Sequence, residues 1–429
     1  MVSREQNDFV IVGAGAAGLM AARDLARAGK RVVLLEARER CGGRILPLPE
    51  AEFGYPAEGG AEFVHGAATL TRGLLREAGL SLSPLAGTSW RADSGSLSPD
   101  DRTTPHAGEL RQALVALKTD LPVAEFLAQQ FADPRYAELR RSITRMVEGY
   151  DAADPSRAST LALREEWLGR GLGQQGRLAA GYGALIAFLV AECRRHGAAI
   201  HLGAAVVAIE AHDRGVALRC RDGSVFEGGA AILAVPLPLL AEIALPPAAR
   251  QKAAAAADIG FGNVIKFLLR FAAPWWANWR GQDLSELSFL FSDVPVRTWW
   301  TQRPAAHPVL TGWFAGPRTA SAAELGTDEL IAMALASLAQ CFALPVDRLR
   351  QMLVAARAIN WAHDPFARGA YSYATPRTRQ AQAMLGEPAA GVIFSGEALY
   401  AGAEMGTVEA ALASGAQTAK MILDGRKAG

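Results

Sequence analysis

The sequence predicts an α/β fold built on a parallel sheet, with a second α+β region set into it. Three observations predict it. The stretch from Phe9 to Glu36 reads as strand, glycine-rich turn, helix, strand and acid, in that order. Buried-strand patterns return far downstream at residues 200–236 and 393–395, after a long stretch of different texture. The chain has 429 residues, half of them hydrophobic, which is enough for two or three domain-sized cores.

Phe9-Val10-Ile11-Val12 is an apolar run of strand length. Gly13-Ala14-Gly15-Ala16-Ala17-Gly18 then matches Gly-x-Gly-x-x-Gly at a strand-to-helix turn. Gly13 permits the turn, Gly15 lets a pyrophosphate approach the backbone, and Gly18 lets helix and strand pack closely. The helix that starts at Ala16 and Ala17 offers its N-terminus to the phosphate charge. Val32-Val33-Leu34-Leu35 is the second strand, and Glu36 after it is placed to accept the ribose hydroxyls of an adenosine. The glycines alone are a weak signal in a chain with 43 of them. The full order of elements makes it a strong one.

The continuation Glu36-Ala37-Arg38-Glu39-Arg40-Cys41-Gly42-Gly43-Arg44 goes beyond what an NAD site needs. Gly42-Gly43 makes a turn free of Cβ atoms, and Arg44 can add charge-assisted bonds to a phosphate. Here the sequence resembles the flavin-containing amine oxidase family, which includes monoamine, polyamine and L-amino-acid oxidases and lysine-specific histone demethylases. The resemblance implies a Rossmann-like FAD-binding domain carrying an inserted substrate domain, with Ala37, Arg38, Gly43 and Arg44 among the FAD contacts.

Net charge is +1, which gives no electrostatic case for nucleic acid or an anionic membrane. Cys41, Cys193, Cys220 and Cys341 are scattered, with no CxxC and no metal-ligand spacing. They read as reduced structural residues of a cytoplasmic protein, and no metal is expected. Residues 1–8 are too short for a signal peptide, and no terminal run reaches the ~20 apolar residues of a membrane span. A monomer or homodimer is expected.

Pro56 to Gly66 comes next. In the resembling family such a Gly-Ala segment runs beneath the flavin ring, and Gly60 and Ala61 fit that need. Glu62, also a candidate cofactor contact, and His65 are the first candidates for contact with substrate. Residues 67–175 read as mainly helical, with a loop or short hairpin from Trp90 to Pro105. Their charges (Arg111, Lys118, Glu138, Arg140, Arg141, Arg145, Glu148) read as solvated faces, and no motif there carries chemistry. Glycines 171, 173, 176, 181 and 183 bracket a return to the first domain. Ala184 to His196 reads as a helix, Ile200 to Glu210 as one strand, and Asp222-Gly223 as a hairpin turn. The resemblance puts Val206 against the adenine.

Ile259 to Trp276 reads as a strand with one lysine, Lys266, inside an apolar run. A buried lysine is costly without a partner. The resemblance supplies a role, a bond through a water to flavin N5. The aromatics at Trp299-Trp300 and Trp313-Phe314 read as core before channel lining, and Asp328 to Leu344 as a helix.

Asn360 to Ala374 resembles the matching segment of polyamine oxidases and histone demethylases. The resemblance places Trp361 near the flavin and Tyr371 against the substrate amine. Members with covalent flavin have a cysteine where Ala370 stands, so non-covalent FAD is implied. In the last signature, Gly396-Glu397 would meet the FAD's ribityl and phosphate portion. Thr407 and Val408 would start a helix whose positive end faces the flavin. Thr407 replaces the second tyrosine of monoamine oxidases, which points to a polyamine-type site.

The resemblance implies FAD-binding segments at residues 1–66, 176–256 and 356–429, and substrate-domain segments at 67–175 and 257–355. It implies oxidation of a primary or secondary, polyamine-like amine by hydride transfer to flavin N5, with Lys266, Tyr371, Trp361 and His65 at the reacting end. Imine hydrolysis and reoxidation by O2 to H2O2 follow. Another flavin oxidoreductase of the same family is one alternative, and an L-amino-acid oxidase is the nearest. It needs an arginine for the substrate carboxylate, and no motif singles out Arg145 or Arg297 for that task. The histone demethylases need added domains for which this chain has no room.

Overall fold

The computed structural model describes residues 7–101, 104–168 and 175–425. Gly171 and Gly173, expected to bracket a domain return, lie outside them.

Strand Asn7–Val12 sits inside a seven-stranded sheet. Val32–Leu35 pairs with it in parallel on one side, with Ala199–His201 beyond. Val225–Leu233 pairs with it in parallel on the other side, and Val392–Phe394 pairs with Val225–Leu233. Strands Val206–His212 and Gly215–Cys220 complete an antiparallel meander. Alternation sorts the side chains onto two covered faces, as a parallel sheet requires. Ile11, Leu34, Ile232 and Ile393 enter one core with residues of helices Ala16–Arg27, Gly181–Arg195 and Val408–Leu423. Val10, Val12, Val33, Leu35, Leu233 and Phe394 enter the other.

The expected single strand from Ile200 to Glu210 is two strands at different positions in this sheet. Gly203, at φ +68°, breaks them apart. Its N–H bonds Arg38 O and that of Ala204 bonds Glu36 O, so the crossing carries residues 203–206 over the end of the second strand. The Asp222-Gly223 hairpin is present, with Gly223 at φ +88°.

A second seven-stranded sheet runs in the order Leu353–Asn360, Val264–Phe271, Val309–Ala315, Thr298–Trp300, Leu287–Phe291, Thr88–Asp93, Ser96–Pro99. One face packs on helix Thr327–Cys341 through Ile265, Phe267, Leu269, Trp299 and Leu310. The other face turns toward a cavity. Helices Ala107–Ala116, Val123–Gln130, Ala137–Gly149 and Thr160–Leu168 form a separate core.

Two boundaries differ from expectation. Residue 356, the expected start of the last FAD segment, falls inside strand Leu353–Asn360, which pairs with Val264–Phe271 in the second sheet. The expected strand from Ile259 is two: Gly260–Gly262 pairs with Tyr371–Tyr373, and Val264–Phe271 joins the larger sheet. A Cβ on Gly262 would stand 2.2 Å from Ala152 O, so glycine is required at this change of partner. No single helix among the described residues is long and apolar enough to cross a membrane.

Candidate active site

The glycine turn does what its spacing demands. Gly13 sits at φ +101°, where a side chain is strained. A Cβ on Gly18 would stand 1.9 Å from Gly13 O, so the first helix rests directly on the turn. A Cβ on Gly15 would meet no protein atom within 4 Å. The space in front of Gly15 is instead a cavity of about 1910 Å³, larger than the roughly 300–1,000 Å³ of an ordinary ligand pocket. Gly13, Gly15, Ala16 and Ala17 line it, as do Glu36, Ala37, Arg38, Gly43 and Arg44. Gly18 does not, because it faces the turn.

Glu36 is buried, and its carboxylate accepts the N–H groups of Ala14 and Arg38, both at 2.9 Å. Those bonds hold it across the end of the parallel sheet beside Ala204, Ala205 and Val206, which also line the cavity. Arg38 is ion-paired to Asp364 at 2.5 Å. Further along, Arg44 donates to Ala370 O at 2.7 Å and to Glu397 at 2.8 Å. Glu397 also accepts from the Ser372 hydroxyl. Ser414 Oγ accepts the N–H of Gly396, which fixes the turn before Glu397. Thr407 caps the final helix, its hydroxyl accepting the N–H of Ala410. Gly396, Glu397, Thr407 and Val408 line the same cavity. The run of bare backbone, helix N-terminus, acid and arginine fits an elongated dinucleotide with a diphosphate in its middle.

At the other end stand Gly60, Ala61, Glu62, His65, Lys266, Trp361 and Tyr371, all lining the cavity. A Cβ on Gly60 would stand 1.8 Å from Arg44 O and 3.2 Å from the Trp361 ring. Trp361 donates its indole N–H to Gly59 O at 3.3 Å, and Tyr371 donates its hydroxyl to Tyr150 O at 2.8 Å. Burial raises the Tyr371 phenol, so it stays neutral. His65 Nδ1 lies 3.3 Å from the Tyr150 hydroxyl, and burial lowers its imidazole to about 4. His65 is therefore neutral at pH 7.

Lys266 is 1% exposed. Its ammonium donates to Glu62 Oε2 at 2.8 Å and to Gly60 O at 3.0 Å. Glu62 Oε1 accepts from Arg177 Nε at 2.9 Å, Trp300 Nε1 at 2.9 Å and Gln302 Nε2 at 3.3 Å. Burial works against the Glu62 charge, but Lys266 and Arg177 outweigh it and hold the carboxyl at about 2. Glu62, expected to contact substrate or cofactor, thus has its carboxylate committed to partners within the protein.

Two other expectations are corrected. Alternation divides the first aromatic pair: Trp299 is fully buried in the second core, whereas Trp300 lines the cavity, as do Trp313, Phe314, Phe289 and Phe291. Nor is the stretch 67–175 without chemistry. Tyr150, Asp151 and Glu166 line the cavity next to Tyr371. Burial raises Asp151 well above the usual carboxylate range, and the neighbouring Glu166 raises it further. Burial raises Glu166 to about 7. Two carboxyls kept from ionising together hold a proton at neutral pH. Nothing in the spacing of Asp151 and Glu166 marks them, because a turn and most of a helix separate them. Arg145 and Glu148, expected on a solvated face, also line the cavity, where Arg145 pairs with Asp293 at 2.9 Å and Glu148 with Arg297 at 3.3 Å.

A model of the family described as flavin containing amine oxidoreductase matches residues 16–423. This chain belongs to that family. It is 25% identical to probable polyamine oxidase 4 of Arabidopsis thaliana, over 92% of this chain and 82% of that protein. It is likewise 25% identical to lysine-specific histone demethylase 2 of Homo sapiens, over 91% of this chain and 50% of that protein. Among solved structures, putrescine oxidase bound to putrescine aligns with a TM-score of 0.79 at 22% identity, covering 98% of this chain and 99% of that one. Cyclohexylamine oxidase from Brevibacterium oxydans IH-35A aligns with the same score, identity and coverage. These two likenesses establish the fold. The family establishes a flavin-dependent oxidoreductase acting on amines, with FAD as the implied cofactor.

Proposed function

We propose that this amine oxidoreductase binds FAD without a covalent bond and oxidises a primary or secondary amine that carries a second cationic nitrogen. The single observation behind the substrate class is the Asp151 and Glu166 pair beside Tyr371 in the cavity wall. A buried acid pair holding one proton exchanges it for an ammonium group with little net change of charge. For the non-covalent cofactor, Ala370 stands at the expected attachment point, and none of the four cysteines lines the cavity.

The chemistry that bound FAD supplies is acceptance of a hydride from the amine's α-carbon at N5, with O2 as final acceptor and H2O2 as product. The chain's own residues do the positioning. The faces of Tyr371 and Trp361 confine an amine by shape and by ring quadrupole. Trp300, Trp313, Phe289 and Phe291 add apolar lining that excludes water. Neutral His65 adds no charge that would repel an incoming ammonium. An iminium product is then hydrolysed by water to a carbonyl compound. Arg145 and Arg297, the arginines that an amino-acid carboxylate would need, are paired to Asp293 and Glu148, which weighs against the amino-acid oxidase reading.

Anaerobic mixing with monoamines, diamines, polyamines and L-amino acids tests this. Di- and polyamines should bleach the flavin spectrum, and air should restore it with release of H2O2. Bleaching by L-amino acids alone contradicts the proposal.

A further inference from the structure

At the reacting end, three elements converge on a carboxylate carried by a fourth. Glu62 lies just before strand Phe63–His65. Arg177 comes from the neighbouring strand Gln175–Leu178, Lys266 from Val264–Phe271, and Trp300 and Gln302 from the end of Thr298–Trp300. Arg177 is fixed in turn by Thr301 O at 2.9 Å and Arg303 O at 2.8 Å, with its guanidinium 4.6 Å from the Phe63 ring centroid. The Lys266 ammonium also stands 5.6 Å from the Trp300 ring centroid. An ammonium this buried keeps its proton only beside a counter-charge, and Glu62 is the carboxylate bonded to it. It has three N–H groups. Two are taken by Glu62 and Gly60 O, which leaves the third for the cavity that Lys266 lines.

We infer that Glu62 is a positioning residue for the redox step: by holding Lys266 charged and fixed, it determines how readily the bound flavin is reduced and how fast it returns electrons to O2. The inference rests on FAD occupying this end of the cavity, as proposed above, but on no particular substrate. Without Glu62, Lys266 is left buried beside the positive Arg177; Glu58, the other acid that acts on it, is not bonded to it and is itself raised to about 7 by burial, so the ammonium loses its bonded counter-charge and loss of its proton is favoured. The positive charge that stabilises a reduced, anionic cofactor is then lost. Acid restores it by reprotonating the lysine.

The test is a double-mutant cycle of wild type, Glu62→Gln, Lys266→Met and the double variant. The midpoint potential of the bound flavin and the O2 reoxidation rate after dithionite reduction are read across pH. No amine is used, so failure of the amine reading leaves this test intact. At pH 8, Glu62→Gln should lower the potential and slow reoxidation roughly 10²-fold, close to Lys266→Met. Toward acid pH, Glu62→Gln should recover and Lys266→Met should not. In the Lys266→Met background, adding Glu62→Gln should change either readout less than twofold. Glu62→Asp, run through the same cycle, keeps the charge and should stay close to wild type, which separates lost charge from lost folding. Wild-type behaviour of Glu62→Gln at every pH overturns the inference. So does an equal effect of Glu62→Gln with and without Lys266.

Discussion

The two ends of the cavity are built on different principles. The dinucleotide end uses backbone: a left-handed Gly13, an unobstructed Gly15, the N–H groups of a helix start, and Glu36 held by two amides. Its chemistry needs no side chain beyond an acid and an arginine. The amine end uses side chains drawn from separate stretches of chain, namely Glu62, Tyr150, Asp151, Glu166, Arg177, Lys266, Trp300, Trp361 and Tyr371. Backbone recognition is local in sequence, whereas charge recognition is assembled by the fold. The first end should therefore fail completely when one atom is added, and the second should fail by degrees and with pH.

The largest effect tests the first half of that contrast. Gly18→Val inserts a Cβ that would lie 1.9 Å from Gly13 O, and the helix cannot settle on the turn. Overpacking of this kind costs about 1–3 kcal/mol or more. The variant should purify without flavin colour and with a lowered Tm. A yellow Gly18→Val protein of normal Tm would show that the turn tolerates what its geometry forbids.

At the amine end, Lys266→Met should retain FAD while turnover falls by roughly 10²-fold, the usual scale for loss of one electrostatic donor at a reacting centre. Flavin content and stopped-flow reduction read the two parts separately. Normal turnover would remove Lys266 from the reaction.

Next in size are Asp151→Asn and Glu166→Gln. Either should raise KM for a diamine about thirtyfold, the low end of the cost of truncating one partner of a buried charge pair. The KM of a monoamine of equal length should change little. The pH dependence has a definite sign. Burial raises both carboxyls, Glu166 to about 7, so below that pH the pair holds protons that an ammonium must displace. KM for a diamine should fall as pH rises through about 7, and this dependence should flatten in either variant.

The smallest effect separates two adjacent rings. Trp299→Phe loses the indole bond to Val296 O inside the core, and Trp300→Phe loses the bond to Glu62. Each costs about 1 kcal/mol of stability. Only Trp300→Phe should also change turnover, because only Trp300 lines the cavity.

The same contrast explains what the sequence disclosed. The opening turn, Glu36, Lys266, Trp361, Tyr371 and the Gly396-Glu397 turn were legible because each sits in a short motif whose spacing is its function, or in a segment resembling a known family. Lys266 could be singled out because one lysine in an eight-residue apolar strand needs an explanation. Its partner could not, since Glu62 and Lys266 meet only through a fold that brings four elements together. Asp151 and Glu166 stand in no motif, and only their burial reveals them. Gly203 hid a break between two strands inside a continuous apolar run. At the domain boundary, hydrophobic pattern marks a strand but not the sheet it joins. The FAD segment expected to start at residue 356 therefore begins inside strand Leu353–Asn360 of the other sheet.

The most direct measurement compares 1-aminobutane with 1,4-diaminobutane, two substrates that differ by one ammonium group, in wild type and in the Asp151→Asn/Glu166→Gln double variant. The KM ratio should favour the diamine by at least about tenfold in wild type at pH 8, shrink toward pH 6, and approach one in the double variant. Equal KM values for the two amines in wild type, or an unchanged ratio in the double variant, would contradict a cavity whose Asp151 and Glu166 pair is made for a second positive charge.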